Sequence, residues 1–111
     1  MSFGYAFYGL IYGVRTQHNA WIHVAATIIV ITAGILLKIS LTNWCLIVFA
    51  IGLVFIAELF NTAIEYFVDQ MFPGYNKYAG LIKDLSAGAV LMAAITAVII
   101  GLIVFVPAVI D

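Results

Sequence analysis

The chain contains 111 residues, of which 67% are hydrophobic and 8% are charged, with a formal net charge of -1. Soluble domains carry charge on about a quarter of their residues, so this composition excludes a soluble globular protein and predicts an integral membrane protein. Three spans of about 20 residues would use most of the length, which predicts one membrane domain over residues 1–111 without a separate soluble catalytic domain. Four lysine and arginine residues in total are too few to hold a nucleic acid.

The N-terminal segment, residues 2–21, is predicted to form an amphipathic helix that lies in the membrane interface. Apolar residues recur at helical spacing along one stripe, and tyrosines together with Arg15 and Asn19 form a second stripe. Helices of this kind, rich in aromatic residues, are typical of segments that lie at the level of the lipid headgroups. A headgroup anchor is therefore the simplest role of this segment.

Three apolar runs follow and are predicted to be membrane-spanning helices. They cover residues 22–38, 43–68 and 85–107. A polar turn separates the first two runs, and Pro73 with Gly74 ends the second run. The pattern predicts an all-α membrane protein in which an interfacial helix precedes three transmembrane helices packed as a bundle.

A hydrophilic hairpin is predicted between the second and third spans. It contains Tyr75, Asn76, Lys77, Lys83 and Asp84. Basic residues favour the cytoplasmic side, and a topology with three spans places every lysine and arginine except Lys38 on the side of the amino terminus. We therefore expect a multi-pass protein of the bacterial cytoplasmic membrane with a cytoplasmic amino terminus.

The end of the second span carries a polar face that an ordinary span would lack. Glu58, Asn61, Glu65 and Asp69 are three, four and four residues apart, which places all of them on one side of a helix. A carboxylate deep in a membrane costs at least ~2.5 kcal/mol on insertion scales, so such residues are usually functional. Two functions could use this face: conduction of cations or protons, and metal-assisted phosphate chemistry in which Lys83 would meet the phosphates.

The residues around this face resemble a known family. The segment ELFNTAIEYFVD followed by KDLSAGAVL, together with FGYAFYGL and TQHNAWIH near the amino terminus, is similar to the prokaryotic diacylglycerol kinases, which include undecaprenol kinases. The resemblance covers nearly the whole chain. It implies a homotrimer of protomers with three spans, whose active sites are shared between subunits and transfer the γ-phosphate of Mg-ATP to a lipid hydroxyl.

The resemblance also implies roles for individual residues. Glu58 matches the catalytic base and, with Asn61, contacts the lipid substrate, while Asp69 supports the site. Glu65 matches a ligand of Mg²⁺, and Gln17 stands at the position of the second metal ligand. The residues that match contacts to ATP are Tyr5, Gln17, Glu65, Gly74, Tyr75, Asn76, Lys83 and Asp84.

One of these positions departs from the family pattern. Relatives commonly have a glutamate where this chain has Gln17, and a glutamine offers a carbonyl oxygen without a charge. We therefore expect weaker binding of Mg²⁺, and a relative with weakened or lost kinase activity stays an alternative. His18 and His23 lie five residues apart on different helical faces, and we expect hydrogen bonds or interfacial positions for them rather than metal binding.

The lipid acceptor is left open between undecaprenol and diacylglycerol. The short N-terminal segment and the AGAV stretch at the start of the third span are more similar to undecaprenol kinases. Undecaprenol is therefore the favoured acceptor.

Overall fold

The computed structural model describes residues 2–17 and 19–111 as an all-helical chain. Its helices are α1 (Phe3–Thr16), α2 (Ala20–Leu37), α3 (Leu41–Met71) and α4 (Lys77–Ile110). By length and composition, α2, α3 and α4 are each long and apolar enough to cross a membrane. The predicted fold class, a short N-terminal helix before three long apolar helices, is confirmed over the described residues.

The first helix ends earlier than the sequence predicted. We expected a helix over residues 2–21, but α1 ends at Thr16, Gln17 has an extended backbone (φ -62°, ψ 140°) and α2 begins at Ala20. His18 lies outside the described residues. The hydroxyl of Thr16 donates a hydrogen bond to the carbonyl of Tyr12 at 2.7 Å, a local contact by which threonine competes with helix continuation. The break turns Gln17 toward the other helices.

A tight turn joins α2 to α3. Lys38 has a left-handed backbone (φ 53°, ψ 51°), and its N–H donates to the carbonyls of Gly34 and Ile35. The hydroxyl of Ser40 then accepts a hydrogen bond from the N–H of Asn43 at 3.2 Å and so caps α3. A Cβ at position 34 would come within 2.7 Å of the Trp44 ring, so only glycine lets α2 approach α3 this closely.

The last helix begins well before residue 85, where we expected the third span to start. Asn76 caps α4, because its side-chain oxygen accepts hydrogen bonds from the N–H groups of Tyr78 (2.9 Å) and Ala79 (3.1 Å). Lys77, Lys83 and Asp84 therefore lie on α4, and the prediction that they belong to the hairpin loop was wrong. Their polarity reflects the exposed first turns of a helix rather than a loop.

The helices do not pack equally. Residues of α3 and α4 contact one another far more extensively than either helix contacts α2. The buried apolar side chains, all on these two helices, are Ile47, Ala50, Val68, Ala79, Ala93 and Val104. Most other large apolar side chains are exposed, which suits a surface in contact with lipid. The structure thus consists of a tight α3–α4 pair with a more loosely attached α2.

Candidate functional site

A polar cavity of about 480 Å³ lies where the connection between α1 and α2 meets α3 and α4. Its walls include five of the residues that the sequence singled out. They are Gln17, Glu58, Asn61, Glu65 and Asp69. The extended backbone after α1 brings Gln17 to this cavity, although it is distant in sequence from the polar face of α3.

A chain of hydrogen bonds links the buried Ser86 of α4 to Glu65 of α3. The hydroxyl of Ser86 donates to Asn61 Oδ1 at 2.7 Å, and Asn61 Nδ2 donates to Glu65 Oε1 at 2.8 Å. A carboxylate only accepts hydrogen bonds, so the amide nitrogen of Asn61 must face Glu65 and its oxygen must face the Ser86 hydroxyl. Both polar ends of Asn61 are therefore satisfied, and the Glu65 carboxylate is held in place.

Lys83 makes a second link between the same two helices. Its Nζ lies 2.9 Å from Asp69 Oδ1, with both side chains substantially exposed. Exposed ion pairs contribute little to stability, because water screens them and the long side chains lose freedom. The importance of the pair is its location, because it places the amine of Lys83 beside Asp69, an acid that lines the cavity.

At the other end of the polar face, Glu58 is bound to α2. The Nε2 atom of His23 lies 2.9 Å from Glu58 Oε1, and the two side chains are 23% and 16% exposed. Of the two positions expected for His23, at the interface or hydrogen-bonded to a neighbouring helix, the structure shows the hydrogen bond. Its partner could not be identified from the sequence, because the two residues are 35 positions apart and no pattern relates the faces of two different helices.

Gln17 is an unusual feature of the cavity. Only 8% of the residue is exposed, and among the described residues neither Nε2 nor Oε1 of its amide has a hydrogen-bond partner. A buried polar group without a partner costs about 1–3 kcal/mol, so most such groups in proteins are paired. An amide that lines a polar cavity without a partner is suited to bind something that enters the cavity.

The position of Gln17 depends on how α1 sits on α3. Gly13 is buried, and a Cβ at that position would overlap the side chain of Leu59. The hydroxyl groups of Tyr12 and Tyr66 are hydrogen-bonded at 2.9 Å. This bond to Tyr66 raises the pKa of Tyr12. Sequence analysis assigned the tyrosines of α1 to the membrane interface and missed this contact with α3.

The cavity offers oxygen ligands of the type that Mg²⁺ prefers. Glu65 uses Oε1 for Asn61, and the carbonyl of Gln17 has no partner within residues 2–17 and 19–111. Over those residues no three His, Cys, Asp or Glu side chains are grouped closely enough to hold a metal. Mg²⁺ usually keeps several waters and binds through one or two carboxylates together with substrate phosphates. The residues therefore fit a Mg²⁺ ion that shares its ligands with a bound nucleotide.

The remaining residues predicted to bind ATP do not line this cavity. Tyr75, Asn76 and Asp84 line a separate depression at the start of α4, and the Asn76 side chain is used to cap that helix. Gly74 is exposed in the loop before α4. Tyr5 lies on the exposed surface of α1, against a third depression. Within the described chain, the cavity thus brings together the predicted base and metal ligands, and Lys83 lies beside it through Asp69, whereas the other predicted nucleotide contacts lie elsewhere.

Comparison with known proteins gives consistent matches over nearly the whole chain. The family model described as prokaryotic diacylglycerol kinase matches residues 4–105. The undecaprenol kinase of Bacillus subtilis is 40% identical over 106 residues, which cover 96% of this chain and 86% of that protein. The diacylglycerol kinase of Synechocystis sp. is 43% identical over 102 residues, covering 91% of this chain and 58% of that protein. The Escherichia coli diacylglycerol kinase is 32% identical over 95 residues, with 79% and 78% covered.

Proposed function

This chain belongs to the prokaryotic diacylglycerol kinase family, and from that premise we propose that it phosphorylates undecaprenol at the cytoplasmic surface of the bacterial membrane. It is a multi-pass membrane lipid kinase that uses ATP as the phosphoryl donor. The choice of undecaprenol is supported by the similarity to undecaprenol kinase, since the matched region covers 86% of that protein. Diacylglycerol is the second candidate acceptor, supported by the 43% identity to a diacylglycerol kinase.

The observation that carries this proposal is that four residues from two separate parts of the chain line one polar cavity. Glu58, Asn61 and Glu65 of α3 face the same cavity as Gln17, which follows α1. The sequence could place the first three on one helical face, but nothing in the spacing required Gln17 to join them. An arrangement of one possible base, oxygen ligands and a buried unpaired amide suits phosphoryl transfer with a metal-bound nucleotide.

In the proposed reaction the lipid hydroxyl oxygen forms a bond to the γ-phosphorus of ATP, and the bond from that phosphorus to ADP breaks. Glu58 accepts the proton that the hydroxyl loses, and Asn61 contacts the lipid head beside it. Glu65 and Gln17 would hold Mg²⁺, which when bound would supply positive charge to offset the negative charge on the phosphates. Because the transition state of phosphoryl transfer is loose, most of the rate comes from positioning and charge neutralisation rather than from the base.

The nucleotide contacts belong to the same proposal. We assign Lys83 and Asp84 of α4, the loop residues Gly74, Tyr75 and Asn76, and Tyr5 of α1 to ATP binding. Several of these residues line depressions apart from the cavity in one protomer. In a homotrimer whose neighbouring subunits share each site, the cavity residues of one subunit would lie next to the nucleotide contacts of another. The same assembly would cover part of the apolar surface that a single chain leaves exposed.

The proposal is tested with purified protein in lipid vesicles that contain undecaprenol or diacylglycerol. Labelled ATP and Mg²⁺ are added, and the lipids are separated by thin-layer chromatography. We expect label in the undecaprenol fraction, less in diacylglycerol, and almost none with Glu58→Gln. Label in neither lipid would contradict the proposal.

The same vesicles test the alternative of ion conduction. An ATP-independent ion flux that Glu58→Gln abolishes would support conduction instead of phosphoryl transfer. We expect the bilayer to stay sealed with the wild-type protein and with the variant.

A further inference from the structure

His23 and Glu58 come from different helices and make one of the few polar contacts between α2 and α3. Their Nε2 and Oε1 atoms are 2.9 Å apart, and neither side chain is more than a quarter exposed. We propose that His23 is a positioning residue that holds the Glu58 carboxylate ready to accept the proton of the lipid hydroxyl. This inference rests on the proposed function, because it requires Glu58 to act as the base.

The chemistry of the pair determines which atom carries the hydrogen. A carboxylate only accepts hydrogen bonds, so Nε2 of His23 must bear the proton in the contact. The ring of Phe55 meets the imidazole edge to face, with centroids 6.2 Å apart, and restricts its rotation. His23 thus occupies Oε1 of Glu58 with a donor that is held in place, which leaves Oε2 as the oxygen that can act as the base.

The surroundings of the pair explain why this position suits the acceptor of a lipid kinase. Glu58 lines the polar cavity, whereas His23 lines an apolar cavity of about 320 Å³ between α2, α3 and α4. The hydrogen bond therefore lies at the boundary between a polar and an apolar compartment. A lipid alcohol has the same division, because its reacting hydroxyl is attached directly to a hydrocarbon chain.

In the part of the chain that the structure describes, no basic side chain lines the polar cavity itself, so His23 reaches Glu58 from the neighbouring apolar cavity. The other charged groups there are Glu65 and Asp69 of α3, both acidic, while α4 contributes only apolar side chains. The connection between α1 and α2 contributes uncharged residues, including Gln17. Within the described residues, His23 is thus the basic group in contact with the half-buried Glu58 carboxylate.

Two substitutions at one position test the proposal in the full chain, in vesicles with ATP and the acceptor lipid. His23→Ala removes the donor, whereas His23→Gln keeps an amide N–H near the place of Nε2. Thr32→Val is the matched control, because Thr32 lies on the same helix, is exposed and lines neither of the two cavities. The measured quantities are kcat and the KM for ATP.

We expect His23→Ala to lower kcat by about 10- to 100-fold, as for loss of a hydrogen bond to a charged group, with the KM for ATP unchanged. His23→Gln should recover most of kcat, and Thr32→Val should match the wild type. If His23→Ala does not fold, His23→Gln is compared with the wild type instead. A kcat close to the wild-type value would then support the proposal, and a large loss of kcat would overturn it.

A double substitution separates positioning of Glu58 from a general effect on folding. In a Glu58→Gln background, His23→Ala should reduce the residual rate by less than about twofold, since the group through which it acts is already lost. An equal loss in both backgrounds, or His23→Gln as poor as His23→Ala, would each overturn the proposal. An inactive wild type would overturn the proposed kinase function itself, and with it this inference.

Discussion

The two ends of the polar face of α3 are held in different ways. Near the loop to α4, Glu65 is tied through Asn61 to the buried Ser86, and Asp69 pairs with Lys83, so both acids are linked to α4. At the other end, Glu58 is tied to α2 through its contact with His23. The side chains of this one face are therefore held by two different helices, α4 and α2, and α4 packs against α3 more extensively than α2 does.

This difference has a physical consequence for how the site is organised. Because α3 and α4 are packed much more extensively against each other than against α2, the position of Glu65 is determined by the best-packed part of the protein. Segments with few packed contacts open more easily than well-packed ones. His23, the partner of Glu58, therefore lies on the helix that is expected to be less stably attached. The proposed metal ligand is therefore rigidly held, while the proposed base depends on the position of α2.

Positioning and charge neutralisation are shared among many groups, so among these single substitutions the largest effect should come from removing the base. Glu58→Gln should lower kcat by about 10²- to 10⁴-fold, the usual contribution of a general base, because the amide cannot accept the hydroxyl proton. Rapid-mixing measurements of phosphate transfer in vesicles check this. Asp111→Asn, which neutralises a carboxylate at the end of α4, is the control and should behave as the wild type. A Glu58→Gln variant with at least half of the normal kcat would rule out this role.

The next effect concerns the hydrogen-bond chain on the α4 side. Ser86→Ala removes the donor that fixes Asn61, and we expect about tenfold weaker activation by Mg²⁺, since residues that orient a metal ligand commonly contribute 10- to 100-fold. The measurement is the Mg²⁺ concentration that gives half-maximal activity. Thr96→Val is the matched control, because that hydroxyl bonds only to its own helix at the Met92 carbonyl. Equal Mg²⁺ dependence in both variants would show that the chain does not position Glu65.

A smaller change is expected at Gln17, in the direction of improved metal binding. Gln17→Glu replaces a buried amide that has no partner among the described residues with a carboxylate that can bind a cation. We expect Mg²⁺ to activate at a few-fold lower concentration, and the thermal stability to become more dependent on Mg²⁺ because a buried charge needs a counterion. Gln17→Leu serves as the uncharged comparison. Unchanged Mg²⁺ dependence in Gln17→Glu would place this residue away from the metal.

The smallest effect is expected where α1 contacts α3. Tyr12→Phe removes the exposed hydrogen bond to Tyr66 and should lower the thermal midpoint by no more than about 2 °C, with little change in kcat. Tyr8→Phe is the control, since Tyr8 stacks on the Tyr12 ring at 6.0 Å and its ring is kept. A loss of most activity in Tyr12→Phe would mean that the position of α1 controls the site more strongly than we infer.

The sequence predicted the helices and the polar face because both depend on periodicity within one segment. The ends of the helices were less predictable, since the break after Thr16 and the cap at Asn76 are local hydrogen-bond arrangements that leave the polar pattern unchanged. Lys83 and Asp84 were assigned to a loop for that reason.

Contacts between helices could not be predicted from periodicity at all. His23 and Glu58 are 35 residues apart, and Ser86 and Asn61 are 25 apart. Spacing tells which residues share a face of one helix, but the rotation of a second helix against it depends on packing of the whole chain. The motif therefore pointed to the acids, and the structure was needed to find what holds them.

The most direct test of the account measures the metal site itself. Mn²⁺ replaces Mg²⁺, and its binding with a non-hydrolysable ATP analogue is followed by electron paramagnetic resonance for the wild type, Glu65→Gln and Glu58→Gln. We predict that Glu65→Gln weakens binding by about tenfold or more while Glu58→Gln leaves it unchanged, because of these two glutamates only Glu65 is a proposed metal ligand. Wild-type affinity in Glu65→Gln would contradict the central claim that the polar face of α3 holds the metal nucleotide.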